Sequence, residues 1–543
     1  MTGSRFLALS REAPLAAPRI DFSPFSFLKA SVLPLAIVLF LAQPCSTPTA
    51  LAGDWPQWGG RPSKNMAADV EGLPFQFEPG RRATDCEEID MQTTQGVKWV
   101  AKLGSQAYGN PTVSGGKVFL GTNNESPRDS KYEGDRGNVY CFDEETGKFL
   151  WQLVIPKLGA GKVSDWEYLG VCSSPTVDGN RVYVVTNRCE VVCLDNEGLS
   201  NGNEGPYTDE SQYVAGPGQT PVPLGPTDAD IIWVYDMRDE LGVFPHNITS
   251  SSILVVGDRL YVTTSNGQDW SHLNIPNPLA PTFICLDKRT GQLLGEEVAQ
   301  ISERLMHCNW SSPAYGETGG KGIVIFGAGD GLVYGFEPEP KQDKDGFNIL
   351  KDVWRYDCNP PYYKVTNGER IRYPSADGPS EVIATPVFYK GRVYVSTGQD
   401  PEHGEGIGIL NCIDASRTGN ISQSGKVWTY EKIGRSLSTV SIADDLVYAA
   451  DFSGRVHCLD ANTGEVYWVH VTGSHIWGST LVADGKVYVG NEDGELSILA
   501  TGKEKQVLNT IQFEAPIYST PIVANGVLYV GTATHLYAID GSS

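Results

Sequence analysis

Basic side chains are scarce in this sequence of 543 residues: 42 Lys and Arg stand against 65 Asp and Glu, for a formal net charge of −23. Such a polyanion repels phosphate rather than releasing counterions from it, which excludes nucleic acid and anionic membrane surfaces as partners. Cations and neutral molecules are easier ligands. The apolar stretch SVLPLAIVLFLA, Ser31–Ala42, is too short to span a bilayer comfortably. It follows Arg5, Arg11, Arg19 and Lys29 and precedes Ala50-Leu51-Ala52, an A-x-A cleavage pattern. Residues 1–52 are therefore expected to be a Sec-type signal peptide, and the protein to be exported to the periplasm or cell envelope. Pro44 before Cys45 spoils a lipid-attachment motif, and removal of the segment, with four bases and two acids, takes the charge to −25. A C-x-x-C-H motif is missing, so the chain carries no c-type haem as its own electron acceptor. A Cys-Cys dipeptide is missing too.

What is present is repetition. NVYCFDEETGKFLW, EVVCLDNEG, TFICLDKRTGQLL, ILNCIDASRTG, RVHCLDANTGEVYW and HLYAID share one pattern. Cys141, Cys193, Cys285, Cys412 and Cys458 occupy one position of it, filled elsewhere by Gly335, Ile498 and Ala538. A strand position that takes Cys, Gly or Ala wants a small apolar side chain, so these cysteines are expected to be buried and unpaired. Cys86, Cys172, Cys189, Cys308 and Cys358 lie outside the pattern and leave one or two disulfides open. Hairpins such as SSPTVDGNRVYVVT and STPIVANGVLYVGT recur eight times, each with two strand runs around a Gly, Asp or Asn turn. A fourth run ends in Trp151, Trp233, Trp354, Trp428 or Trp468, with Leu294 and Leu508 read in the Trp place. Eight hairpins, eight third strands and eight fourth strands make an all-β, eight-bladed β-propeller of four-stranded antiparallel blades. The chain ends on a third strand, so GVKWVAKL around Trp99 is expected to supply its missing neighbour and close the ring. Residues 53–95 then form a lead segment, 96–543 form one propeller, and a monomer is the expected state.

The G-x-VYxxDxxTGxxxW repeats and the opening GDWPQWGGRP resemble the pyrroloquinoline quinone (PQQ) type propeller family. The family includes quinoprotein alcohol and sugar dehydrogenases and, without catalysis, the outer-membrane assembly propeller. Fold therefore does not decide function. Two functions follow as expectations: an exported module binding a small molecule or an envelope protein, or a PQQ- and Ca²⁺-dependent alcohol or sugar dehydrogenase. The missing Cys-Cys pair departs from many of the alcohol dehydrogenases.

Loops after the second strand of each blade, and connections between blades, share one face. They are long over the first five blades and short over the last three, so this top face is the expected binding surface. Aligned on the hairpin starts, one ring position holds Ser105, Leu169, Asn247, His307, Ser380, Gly434, His475 and Ala515. Trp166, His246, His307, Trp310, Arg435, His475 and Trp477 gather there and suit a flat polar ligand. The loop GQDPEHGEGIG, Gly398–Gly408, belongs to the same face. Resemblance to the dehydrogenases implies a calcium site at Glu133 and Asn266, with Asp400 as a further ligand, and Asp400 or Asp269 as a catalytic base.

Overall fold

The computed structural model describes residues 53–84, 86–159 and 161–541; the expected signal peptide lies outside the described residues. Eight antiparallel sheets, each with a four-stranded core, run in chain order around a central axis. Blade 1 is built from Thr112–Ser114, Lys117–Asn123, Arg136–Asp143 and Phe149–Pro156. Blade 8 takes Ile522–Ala524, Val527–Gly531 and His535–Ile539 from the C-terminus and Val97–Lys102 from the N-terminus. Trp99 pairs with Ala538 and Lys102 with His535, so the ring closes as the repeat count requires. Closure leaves blade 8 no open edge on its third strand.

The repeated cysteines find their reason in the blades. Cys141 pairs with Trp151, Cys193 with Trp233, Cys412 with Trp428 and Cys458 with Trp468, each followed by a bulge. Gly335 and Ala538 face Trp354 and Trp99 in the same register. A small residue is what a cross-strand indole leaves room for. The five cysteines are buried, and all ten described cysteines are free thiols. The register corrects one reading: Gly295 and Asn509 stand opposite Cys285 and Ile498, while Leu294 and Leu508 fall in the bulge.

Four of these indoles, Trp99, Trp151, Trp428 and Trp468, also latch the next blade, whereas the Nε1–H groups of Trp233 and Trp354 find no acceptor among the described residues. Trp99 donates Nε1–H to Glu144 O, and Trp151 to Asn196 O. A Cβ on Gly147 of the T-G turn would sit 2.6 Å from the Trp99 ring, and this glycine has φ +67°. The T-G dipeptide is thus an inter-blade seat as well as a turn.

The lead segment does something the repeats do not announce: it sews the floor. Gly53 O accepts from Asn525 N, Trp55 pairs with Val113, and Pro56 O accepts from Val177 N. Pro62 O and Ser63 O accept from Tyr315 N and Phe388 N. Asn65 exchanges hydrogen bonds with Ile442, and Ala67–Ala68 pair with Val482–Ala483. Seven of the eight innermost hairpins are thus tied together by one segment. Lys64 is buried in this plug with its Nζ on Gln57 Oε1 at 2.8 Å.

Candidate functional site

Above this segment the top face carries a cavity of about 380 Å³. Tyr108, Trp166, Trp310 and Trp477 line it with Leu169, Ile248, Ile383 and Leu437. Asp400 and Glu402 bring the charge, and among the described residues no lysine or arginine lines the cavity. The indole of Trp477 packs on Tyr108 and Tyr518, whose rings stack at 4.7 Å. Trp310 is fixed by its Nε1–H, which reaches the carbonyls of His246 and Ile248.

Beside Trp310 three histidines meet. Blade 3 supplies them all: His246 lies on the connection entering it, His272 on its long second loop, His307 on the connection leaving it. His246 Nε2 stands 2.8 Å from His307 Nε2 and 3.2 Å from His272 Nε2. The three rings cross one another at 59–64°. Isolated bridges between Pro245 and Asn266 and between Gly267 and Cys308 hold the loops in register. Gly267 is required there, because a Cβ would come within 2.7 Å of His246 Cβ. Burial pushes the imidazolium forms down, His246 to about 3 and His307 in the same direction, so both rings are neutral.

Behind His307 stand two carboxylates. Glu381 Oε1 lies 3.7 Å and Asp400 Oδ2 3.9 Å from its Nδ1, an atom without a hydrogen-bond partner. Glu381 accepts from the Tyr373 hydroxyl at 2.7 Å and from Cys308 N; burial lifts its carboxyl to about 7. Asp400 accepts from Asn247 Nδ2 at 3.0 Å and caps the short helix Pro401–His403. Burial raises its carboxyl too. His403 lies over this group, its ring 5.3 Å from that of His307.

Several sequence expectations meet here and others separate. His246, His307, Trp310 and Asp400 form one cluster, and Trp166 and Trp477 line the adjoining cavity. Arg435 turns away from it and braces the loop, donating to the carbonyls of His403, Gly404 and Ser375. His475 sits on the low side, stacked on Phe452 at 4.4 Å and bonded to Glu492. Glu133 and Asn266 are not joined: Glu133 is exposed on the rim. Asn266 is buried, its oxygen taken by Phe244 N and its amide by Asn277 O and Ser302 Oγ. Asp269 is a turn cap, accepting from Ser271 and Asn274, which pulls its carboxyl down to about 2 and makes it a poor base. Its backbone carbonyl receives His272 N, so the loop it caps presents that histidine. His272 was not singled out by sequence alignment; the D-x-S-x-x-N cap preceding and enclosing it was the available signal.

Ring and mouth define an eight-bladed β-propeller with a top-face cavity. The chain is similar to the PQQ-type repeat propellers: the model of the family described as outer membrane protein assembly factor BamB matches residues 132–298 and 374–470. A 98-residue stretch is 26% identical to the outer membrane protein assembly factor BamB of Shewanella oneidensis, covering 17% of this chain and 25% of that protein. The chain thus spans a quarter of that relative's length. Among solved structures, europium-containing methanol dehydrogenase is similar with a TM-score of 0.55 at 12% identity, over 89% of this chain and 91% of that one. BamB from Moraxella catarrhalis gives 0.49 at 14%, over 82% and 99%. These structural likenesses concern the fold alone.

Proposed function

We propose that the protein is a cell-envelope binding propeller whose top-face cavity takes a flat organic ligand, neutral or cationic. The cavity carries this reading: aromatic walls from Tyr108, Trp166, Trp310 and Trp477, with Asp400 and Glu402 as its charged groups. Aromatic faces bind flat or cationic bodies, and carboxylates at the wall reject anions. The N-terminal signal pattern and the likeness to an outer-membrane assembly factor support the envelope location.

The enzymatic alternative fits these residues poorly. PQQ is a tricarboxylate, and the lining offers it two carboxylates and no basic side chain. Calcium takes oxygen ligands, whereas the convergent donors here are imidazole nitrogens.

Tryptophan fluorescence tests both. Acridine orange, a flat cation, is expected to quench wild type saturably and to lose most of that affinity in Trp477→Ala. PQQ with Ca²⁺ is expected to leave the spectrum unchanged. Saturable PQQ binding with no response to the cation would overturn the proposal.

A further inference from the structure

The three facing histidines have no comfortable arrangement of protons of their own. His246 Nδ1 lies 2.7 Å from Gln268 O, and a carbonyl only accepts, so the proton of the neutral ring sits on Nδ1. Its Nε2 is then a bare lone pair aimed at the cluster. His307 faces a dilemma. If its proton is on Nε2, it bonds to His246 across 2.8 Å, but its bare Nδ1 confronts Glu381 and Asp400. If its proton is on Nδ1, where it faces those carboxylates, two lone pairs meet 2.8 Å apart. His272 adds a third Nε2 to the same point, and that histidine is held in a left-handed conformation, φ +54°.

A cation at the common point resolves every one of these conflicts. Each Nε2 then donates its lone pair, His246 keeps Nδ1–H on Gln268 O, and His307 keeps Nδ1–H toward Glu381 and Asp400. Such carbonyl and carboxylate partners behind ligating histidines orient the rings and fix the tautomer. The spacing suits it. Metal–nitrogen bonds of about 2.05 Å in tetrahedral geometry put ligand nitrogens about 3.3 Å apart. The two shortest separations are 2.8 and 3.2 Å, and all three atoms lie within 4.8 Å of one another.

We propose that His246, His272 and His307 form a site for one divalent d-block cation, zinc or copper, seated on blade 3 beside the cavity. Three imidazoles select these ions over calcium and magnesium, which prefer oxygen. His272 alone of the three is exposed, so the ion is reached from the top face and one coordination position stays open. The site lies behind the cavity's wall, its His307 ring 5.0 Å from the ring of the wall residue Trp310. Its failure would leave the ligand proposal standing, and the reverse also holds.

The test uses untagged full-length protein stripped with a chelator and then titrated calorimetrically with Zn²⁺, Cu²⁺ and Ca²⁺. One equivalent of Zn²⁺ or Cu²⁺ is expected, with the comparison of the two titrations naming the preferred ion, and no heat from Ca²⁺. Cu²⁺-loaded protein should show nitrogen hyperfine structure in its paramagnetic resonance spectrum. His272→Ala, a change at an exposed side chain, should leave the metal-free melting curve in place and lower affinity roughly a hundredfold, and Glu381→Gln should lower it roughly tenfold. His307→Ala, verified as folded by circular dichroism, should abolish stoichiometric binding. The proposal falls if wild type takes up neither ion stoichiometrically. It falls equally if affinity survives both His272→Ala and His307→Ala, because the ion would then sit elsewhere.

Discussion

Over blade 6, His457 Nε2 lies 2.9 Å from Asp451 Oδ2 and its Nδ1 3.1 Å from the Tyr430 hydroxyl. Over blade 3, His246 and His307 point nitrogens at each other and have no carboxylate within hydrogen-bonding distance. Both pairs are buried on the same face of one ring. The difference is what surrounds them. Blade 6 has a short turn, Asp451–Gly454, whose aspartate closes on its own blade. Blade 3 is flanked by long connections that bring side chains from separate segments to one point. A histidine paired within its blade is a structural post. Histidines from separate segments that converge nitrogen to nitrogen suit a shared cation, as proposed above.

Breaking the post should have the largest effect. Asp451 accepts from Gly434 N, Ser453 Oγ, Arg455 N and His457 Nε2. Asp451→Ala leaves four buried or half-buried donors without an acceptor and should cost about 3–5 kcal/mol in urea unfolding. Zn²⁺ affinity should not change. A loss under about 1 kcal/mol would show that the pairing over blade 6 is not structural.

The floor offers a buried cation bonded to a neutral amide, with the opposite expected sign. Lys64 is fully buried on a single amide oxygen, and burial pulls its ammonium down from 10.5 to about 7. Between these values the unfolded chain holds a proton that the folded protein does not, so stability from this group rises with pH across that window. Below pH 7 the folded protein carries the full penalty. Lys64→Met should therefore stabilise by about 3 kcal/mol at pH 6.5, with the gain fading toward pH 10. A destabilised variant at pH 6.5 would mean the ammonium has an anionic partner in the channel.

The repeats were legible because each blade repeats one spacing problem: a small residue on the third strand faces an indole on the fourth. That gave eight blades, the closing strand and the buried thiols. Leu294 and Leu508 were misplaced by one residue, because the bulge after Cys285 and Ile498 shifts the register and leucine at the bulge mimics the expected apolar residue. The floor-sewing segment left no such trace, since all its ties but the Asn65 side chain's to blade 6 run from backbone to backbone. At the mouth, His246 and His307 were found because both precede hairpin starts. His272 and the role of Asp269 depend on the fold of one irregular loop, and Glu381 gains its meaning only once two connections meet. The thiols give the quantitative check. Cys141→Ala should cost about 1 kcal/mol by denaturant unfolding, because Ala538 already occupies that place opposite Trp99. Native protein should react with a thiol reagent at the exposed Cys86 and not at Cys141. Fast labelling of Cys141 would contradict its burial.

His475 separates pairing from burial and should show the smallest effect. Like His457 it has acidic partners, Glu492 at 3.0 Å and Glu405 at 3.4 Å. Unlike His457 it is open to solvent, with 40% of its side chain exposed beside carboxylates 34% and 60% exposed. Water and salt screen such a pair, so its contribution is small whatever its geometry. The stacking on Phe452 is apolar contact that a glutamine side chain largely keeps. His475→Gln should shift unfolding by under about 0.5 kcal/mol, with less effect still at high salt. Zn²⁺ affinity should be unmoved, because His475 lies on the low side of the mouth. If the same substitution weakened Zn²⁺ binding as much as His272→Ala does, the contrast between the two flanks would collapse, and the ion would have to be sought between Glu405, His475 and Glu492 instead.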